Sequence, residues 1–178
     1  MKVVLHICCG VCAAGAAHEL ISEGHEVAGY FYNPNIYPEE EYNRRLAAAR
    51  EVARRLSFPL ESGPYDACRW QDLCRPYAFA PEGGARCELC FRLRLGYTRN
   101  YMQAAGADAF TTTLTISPHK SAAVVNRVGR ELGGERFLVR DFKKKDGFKR
   151  AVQRAKQWEL YRQNYCGCVY SMIERSRA

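Results

Sequence analysis

The chain has 178 residues, 47% of them hydrophobic and 26% charged, the balance of a soluble globular domain large enough to bury a core without disulfide staples. No apolar run approaches the roughly 18 residues of a membrane span, and Met1-Lys2 leads straight into an apolar strand pattern with no signal-peptide core, so no membrane partner and a cytoplasmic location are expected. The formal net charge of +8 points to a polyanionic partner, most simply nucleic acid, with a merely basic surface as the plainer reading.

In chain order, Val3-Val-Leu-His-Ile-Cys8-Cys9-Gly10-Val-Cys12 opens as a short buried strand of apolar and β-branched residues that Gly10 ends with a turn. Neighbouring side chains of an extended strand point to opposite faces, so Cys8 and Cys9 converge on one object only where the backbone has begun to turn. Ala13 to Ser22 is helix-forming, with Gly24 as its stop. Glu26 to Tyr32 reads as the second strand, closed by Asn33-Pro34-Asn35, giving the β-α-β unit of a parallel sheet. Pro38 and three glutamates open a helix to about Leu56, whose Arg44, Arg45, Arg50, Arg54 and Arg55 read mostly as a solvated face. Phe58 to Ser62 is a third strand. Asp66 to Gly84 is the least regular stretch, a short helix followed by a loop, in which Trp70, Gln71 and Asp72 suggest no chemistry.

A helix from Arg86 to about Ala105 then carries Cys87 and Cys90, Ala107 to Leu114 is a fourth strand, and Ser121 to Leu132 is a further helix broken by Gly133-Gly134. Arg136 to Phe142 is the expected fifth strand, and a last long helix from about Phe148 to Gln163 delivers Cys166-Gly167-Cys168. With no repeat or linker, residues 1–178 read as one α/β domain built on a mostly parallel five-stranded sheet. Ligands of such sheets bind outside the carboxyl ends of the strands, where Cys8-Cys9 falls.

Nine cysteines in a reducing compartment are metal ligands or redox groups more often than disulfides. Cys87-x-x-Cys90 alone admits a thioredoxin-like dithiol, half a zinc site or half an iron–sulfur site. The count narrows this: Cys8, Cys9, Cys87, Cys90, Cys166 and Cys168 exceed what one tetrahedral ion uses and suit an iron–sulfur cluster of about four thiolates, with two or three left for a neighbouring metal or redox pair. Cys12, one helical turn on, either joins them or packs under the first helix, and Cys68 and Cys74 read as ordinary semi-buried thiols. Gly167 lets the sulfurs on either side of it face one way. Asp141 ends the fifth expected strand at the same edge as Cys8-Cys9, where it would bind a metal or move a proton, unless it is a surface ion pair. The following Lys143, Lys144 and Lys145 suit phosphates or a solvated face, and His6 reads as a hydrogen-bonded core histidine.

Taken together, these blocks resemble the cobalamin-independent epoxyqueuosine reductase family (QueH type) over nearly the whole chain. The resemblance rests on His6-Ile-Cys-Cys-Gly-Val-Cys12, Tyr32-Asn-Pro-Asn-Ile36, Glu41-Tyr42 with Arg45, Pro81-Glu-Gly-Gly-Ala-Arg-Cys-Glu-Leu-Cys90 with Arg92-Leu93, Thr111-Thr-Thr-Leu114 with Ser117-Pro118 and Lys120, Asp141-Phe-Lys-Lys144, and Leu160-Tyr-Arg-Gln-Asn-Tyr-Cys-Gly-Cys168. Val11 departs from the proline usual in that family, which alters the turn but removes no ligand. The resemblance implies a Rossmann-like three-layer fold related to adenine nucleotide alpha hydrolases, a 4Fe-4S cluster beside a second metal ion, expected to be iron, and a tRNA anticodon stem-loop carrying epoxyqueuosine at the wobble base. It also implies an electron donor and a two-electron reductive deoxygenation of the epoxide to the alkene of queuosine.

On that basis Cys8, Cys9, Cys87 and Cys90 are expected to hold the cluster, Cys166 and Cys168 the second metal, and Asp141, or water held by it, to protonate the departing oxygen. Lys120, Lys143, Lys144 and Arg162 are expected to grip the anticodon stem-loop. Two other readings compete: a zinc-stabilised RNA-binding protein without catalysis, and an ATP-dependent tRNA thiolation enzyme, for which Cys8-Cys9-Gly10-Val11 lacks the glycine-rich phosphate loop.

Overall fold

A computed structural model describes residues 1–176. Among these, four parallel strands form one sheet in the order β3-β2-β1-β4, where β1 is Lys2–His6, β2 Glu26–Phe31, β3 Leu60–Ser62 and β4 Ala109–Thr112. Strand β1 is central, with Val4 level with Ala28 on one side and Phe110 on the other. Val3 to His6 of this strand, and Ile7 just after it, are fully buried, as expected of a strand covered on both faces. Successive side chains alternate: Val3, Leu5 and Ile7 enter one core cluster while Val4 enters the other.

Helices α1 (Gly10–Ser22), α2 (Glu39–Arg55) and α6 (Gly147–Gln157) contribute to the first cluster, and α4 (Ala85–Ala104) and α5 (Ala122–Gly133) to the second, which makes three layers. Two short helices complete the chain, α3 (Ala67–Cys74) and α7 (Val169–Ser176). Helix α1 begins at Gly10, three residues earlier than expected, and the glycine is required there: a Cβ would lie 2.7 Å from the Cβ of Ala48 on α2. Helix α2 follows the macrodipole, with Glu39, Glu40 and Glu41 in its first turn and Arg54 and Arg55 in its last.

The expected fifth strand does not form. Phe137 makes an isolated parallel bridge to Phe110, but the next carbonyls are taken by side chains, Leu138 O by the Thr111 hydroxyl (2.8 Å) and Arg140 O by the Asn126 amide (3.0 Å). The last long helix also ends early: α6 stops at Gln157, and an irregular segment carries the chain to Cys166 and Cys168 before α7, which the sequence reading lacked. In a parallel sheet all carboxyl ends share one edge, and the helices lead away from it or return towards the opposite one. The N-termini of α1 and α4 therefore lie at that edge. No helix among the described residues is long and apolar enough to cross a membrane.

Candidate metal centre

Three thiol-bearing segments meet at the carboxyl edge of the sheet. Cys8, Cys9 and Cys12 place their sulfurs within 4.8 Å of one another, with Cys8 and Cys9 Sγ 3.8 Å apart. A cavity of about 490 Å³ is lined by Cys8, Cys12 and Cys166 together with Arg45, Arg94, Lys120 and Arg162. A smaller cavity is lined by Cys87, Cys90, Cys166 and Cys168, and the two share Asn35, Glu82, Arg94, His119, Lys120 and Cys166. The amino-terminal and tail cysteines thus come together around common walls, and Cys12, left open by the sequence, stands with Cys8 and Cys9. Cys74 is fully buried rather than half-exposed and packs with Trp70, Cys90 and Cys168, whereas Cys68 is exposed.

Each segment offers hydrogen-bond donors to sulfur. Cys9 caps α1, its Sγ accepting from the Cys12 amide at 3.5 Å; the Thr113 hydroxyl donates to Cys8 Sγ at 3.2 Å while accepting from the Cys8 amide at 3.1 Å. The Gly83 amide donates to Cys87 (3.2 Å), the Ser171 amide to Cys168 (3.4 Å), and the Arg94 guanidinium lies 3.9 Å from Cys90. These are the surroundings of thiolates, near the positive ends of α1, α4 and α7.

The thiols differ in how readily they ionise. Hydrogen bonding from Cys12 and then Cys9, aided by the charges of Arg94 and Lys120, holds Cys8 well below the usual thiol value despite its burial. Burial pushes Cys87 up, and burial with the neighbouring Cys166 pushes Cys168 up to about 11. A cation held by Cys87 and Cys168 would favour their thiolate forms against that burial. Lys120 is driven up in the other sense: burial opposes its charge, but thiolate charge at Cys166 and Cys8 outweighs that. Its amine therefore carries a proton between the two groups of thiols.

The tail segment is fixed to the body by Arg45, the one α2 arginine of the five named above that is not exposed. Its guanidinium pairs with Glu41 at 2.6 Å and donates to the carbonyls of Cys166 (2.8 Å) and Tyr165 (3.1 Å); Glu41 also accepts from Tyr161 at 2.5 Å. Gly167, at φ 125°, adopts a backbone that other residues rarely take, and a Cβ there would meet Arg45 Nη1 at 2.9 Å. Arg45→Met leaves Glu41 and two carbonyls without their buried partner and is expected to cost about 3–5 kcal/mol in denaturant unfolding, with Arg45→Lys recovering less than half.

The remaining expected site residues divide. Lys120 and Arg162 line the larger cavity. Lys144 is exposed, while the Lys143 amine is committed to the carbonyls of Lys120 (3.0 Å) and Thr115 (3.1 Å) and lies 3.6 Å from Asp141. Asp141 is absent from both cavity walls; its carboxylate faces Lys143. His6 is a core histidine as expected, bonded to Thr112 Oγ1 (2.9 Å) and Tyr32 O (3.2 Å), and burial lowers its pKa to about 3. Arg94, Thr113 and Trp70 were missed, since each acts through a contact between elements that no local spacing reports.

The family profile described as epoxyqueuosine reductase QueH matches residues 3–174. A protein of that name from Dehalococcoides mccartyi is 35% identical, over 98% of this chain and 94% of its own length, and one from Thermotoga maritima is 34% identical, over 97% and 91%. Among solved structures, the predicted subunit of a tRNA methyltransferase from Methanocaldococcus jannaschii aligns with a TM-score of 0.60 at 13% identity, covering 85% of this chain and 74% of its own. The U34-tRNA thiolase NcsA from Methanococcus maripaludis, solved with its 4Fe-4S cluster, gives 0.59 at 13%, covering 96% and 61%. These two support the same Rossmann-like α/β architecture. With a match spanning nearly the whole chain and full-length relatives above 30% identity, the chain belongs to the epoxyqueuosine reductase QueH family.

Proposed function

We propose that this chain reduces epoxyqueuosine at the wobble position of a tRNA anticodon to queuosine, in the cytoplasm. The observation that carries this reading is that cysteines from three distant segments line two cavities at the sheet edge that share Arg94, Lys120 and Cys166. Removing the epoxide oxygen as water consumes two electrons and two protons, so a separate electron donor is required.

A 4Fe-4S cluster and a neighbouring iron, when bound, supply the electrons and a Lewis acid. The donor set fits them: buried and half-buried thiols, each group met by amide, hydroxyl or guanidinium donors, and more sulfurs than one ion can use. The geometry favours a different division from the one the sequence suggested. Three sulfurs mutually within 4.8 Å suit a single tetrahedral ion, whose thiolates stand ~3.8 Å apart for bonds of about 2.3 Å. Cys8, Cys9 and Cys12 would hold that ion, leaving Cys87, Cys90, Cys166 and Cys168, which wall the smaller cavity, for the cluster.

Lys120 Nζ, between the two groups, would hold a proton for the departing oxygen. Asp141 acts as a positioning residue through Lys143, whose amine ties down the Lys120 carbonyl. Arg162, on the wall, and Lys144, on the surface, would contact RNA phosphates. Affinity for the tRNA is then expected to fall steeply with salt, and Lys144→Ala or Arg162→Ala to flatten the slope of log K against log salt by roughly 0.7–0.9 each, read by fluorescence anisotropy. An unchanged slope in both variants removes them from the interface.

The deciding experiment is an anaerobic assay of the reconstituted protein on epoxyqueuosine-containing tRNA with a chemical reductant, read by mass spectrometry of the nucleosides. Conversion to queuosine with stoichiometric iron and sulfide is the expected result. Colourless protein that holds only zinc and binds the tRNA unchanged would replace this reading with the non-catalytic one.

A further inference from the structure

The smaller cavity has a second feature besides its sulfurs. Among the described residues, Trp70 Nε1, Arg86 Nε and Arg94 Nε are buried nitrogen donors with no hydrogen-bond partner, and all three residues line this cavity. They are 2%, 1% and 3% exposed, so bulk solvent does not satisfy them. Buried N–H groups are paired in nearly all folded proteins, and three orphans among the residues lining one cavity point to a missing acceptor.

None of the three is free to turn elsewhere. Arg86 Nη1 donates to the carbonyls of Ala80 (2.6 Å) and Ala78 (2.9 Å), and its guanidinium lies 4.4 Å from the Tyr170 ring centroid. Arg94 is pinned by Asn33 Oδ1 at 2.6 Å and already approaches Cys90 Sγ. Trp70 is wedged among Cys74, Cys90 and Cys168. Two of the donors carry positive charge, so the acceptor they favour is anionic. Of the groups on this wall that can carry negative charge, Glu82 is exposed and the four thiols are not, and Arg94 and Trp70 already stand against Cys90, so the anion the wall offers is sulfur.

We propose that Trp70, Arg86 and Arg94 donate N–H hydrogen bonds to the sulfur atoms of the iron–sulfur cluster held by Cys87, Cys90, Cys166 and Cys168, and thereby raise its reduction potential. This rests on the proposed presence of that cluster. Reduction adds negative charge to the sulfurs, so donors aimed at them stabilise the reduced form more than the oxidised one. They are positioning residues, acting on the cluster and not on the substrate.

The test uses the full chain reconstituted under anaerobic conditions. Trp70→Phe keeps the buried ring and removes only the N–H. It is expected to load iron and sulfide like the parent and to titrate, by electron paramagnetic resonance, with the reduced-to-oxidised ratio lowered about tenfold at a given potential, or about 59 mV for one electron. Full loading with an unshifted titration overturns the proposal and assigns these donors to trapped water. If the variant fails to load, the parent decides. Coupling of its reduced cluster to the side-chain nitrogens of 15N-labelled tryptophan and arginine, seen by electron–nuclear double resonance, supports the proposal, and its absence overturns it. A parent that binds no cluster at all defeats the underlying assignment, a result distinct from a loaded cluster whose potential does not move.

Discussion

Replacing Cys8 with alanine is expected to lower turnover by on the order of 10³-fold or more while leaving most of the bound iron and the sulfide in place, because it removes one member of a unit that acts together. The expectation follows from the division of thiols by geometry. Cys8 and Cys12 line the larger cavity, and with Cys9 they form the tight triad, whereas the smaller cavity is walled by Cys87, Cys90, Cys166 and Cys168. Cys87→Ala is therefore expected to lose sulfide and visible absorbance as well as activity. Iron and sulfide analysis of the two variants separates the possibilities. If Cys8→Ala strips the sulfide and Cys166→Ala retains it, the pairing of Cys8 and Cys9 with Cys87 and Cys90 is the correct one.

Lys120→Met is expected to reduce turnover by about 10²–10³-fold, the scale for losing one preorganised donor at a developing oxyanion. Iron content should stay unchanged, because the amine is not a ligand, and Lys120→Arg should recover part of the loss by restoring a charged donor. Asp141→Asn is expected to cost less than tenfold, since its carboxylate reaches the cavity only through Lys143 and the Lys120 backbone. Single-turnover rates on the modified tRNA measure all three. A larger loss in Asp141→Asn than in Lys120→Met would make the carboxylate the proton donor after all.

How much of this was legible depended on whether the deciding contact was local. The buried strand Val3–Ile7, the turn at Gly10 and the acid-to-base gradient of α2 express local rules, and they stand at or close to their expected places. The fifth strand failed because Thr111 and Asn126, distant in sequence, intercept the carbonyls that a ladder would use. Cys12 was ambiguous because its role depends on where α1 starts; a start at Gly10 sets it in the first turn, with its amide on Cys9. The burial of Arg45 among four exposed arginines follows from the tail segment that lands on it. Glu41, four residues before it, was the only local hint. Asp141 was placed at the sheet edge partly by a strand expected to end there, and that strand does not form.

The wide spacing of the thiol groups along the polypeptide has a consequence for durability. On the division above, a cluster held by Cys87, Cys90, Cys166 and Cys168 would close a ring of roughly 75 residues, and on the chain-entropy account of cross-links a ring of that size restricts the unfolded chain by about 4.5 kcal/mol. The inorganic centre would then serve as a clasp as well as a reagent. Oxygen or a chelator that stripped it would leave a polypeptide both inert and easier for proteases to open, so that cellular abundance would follow iron supply.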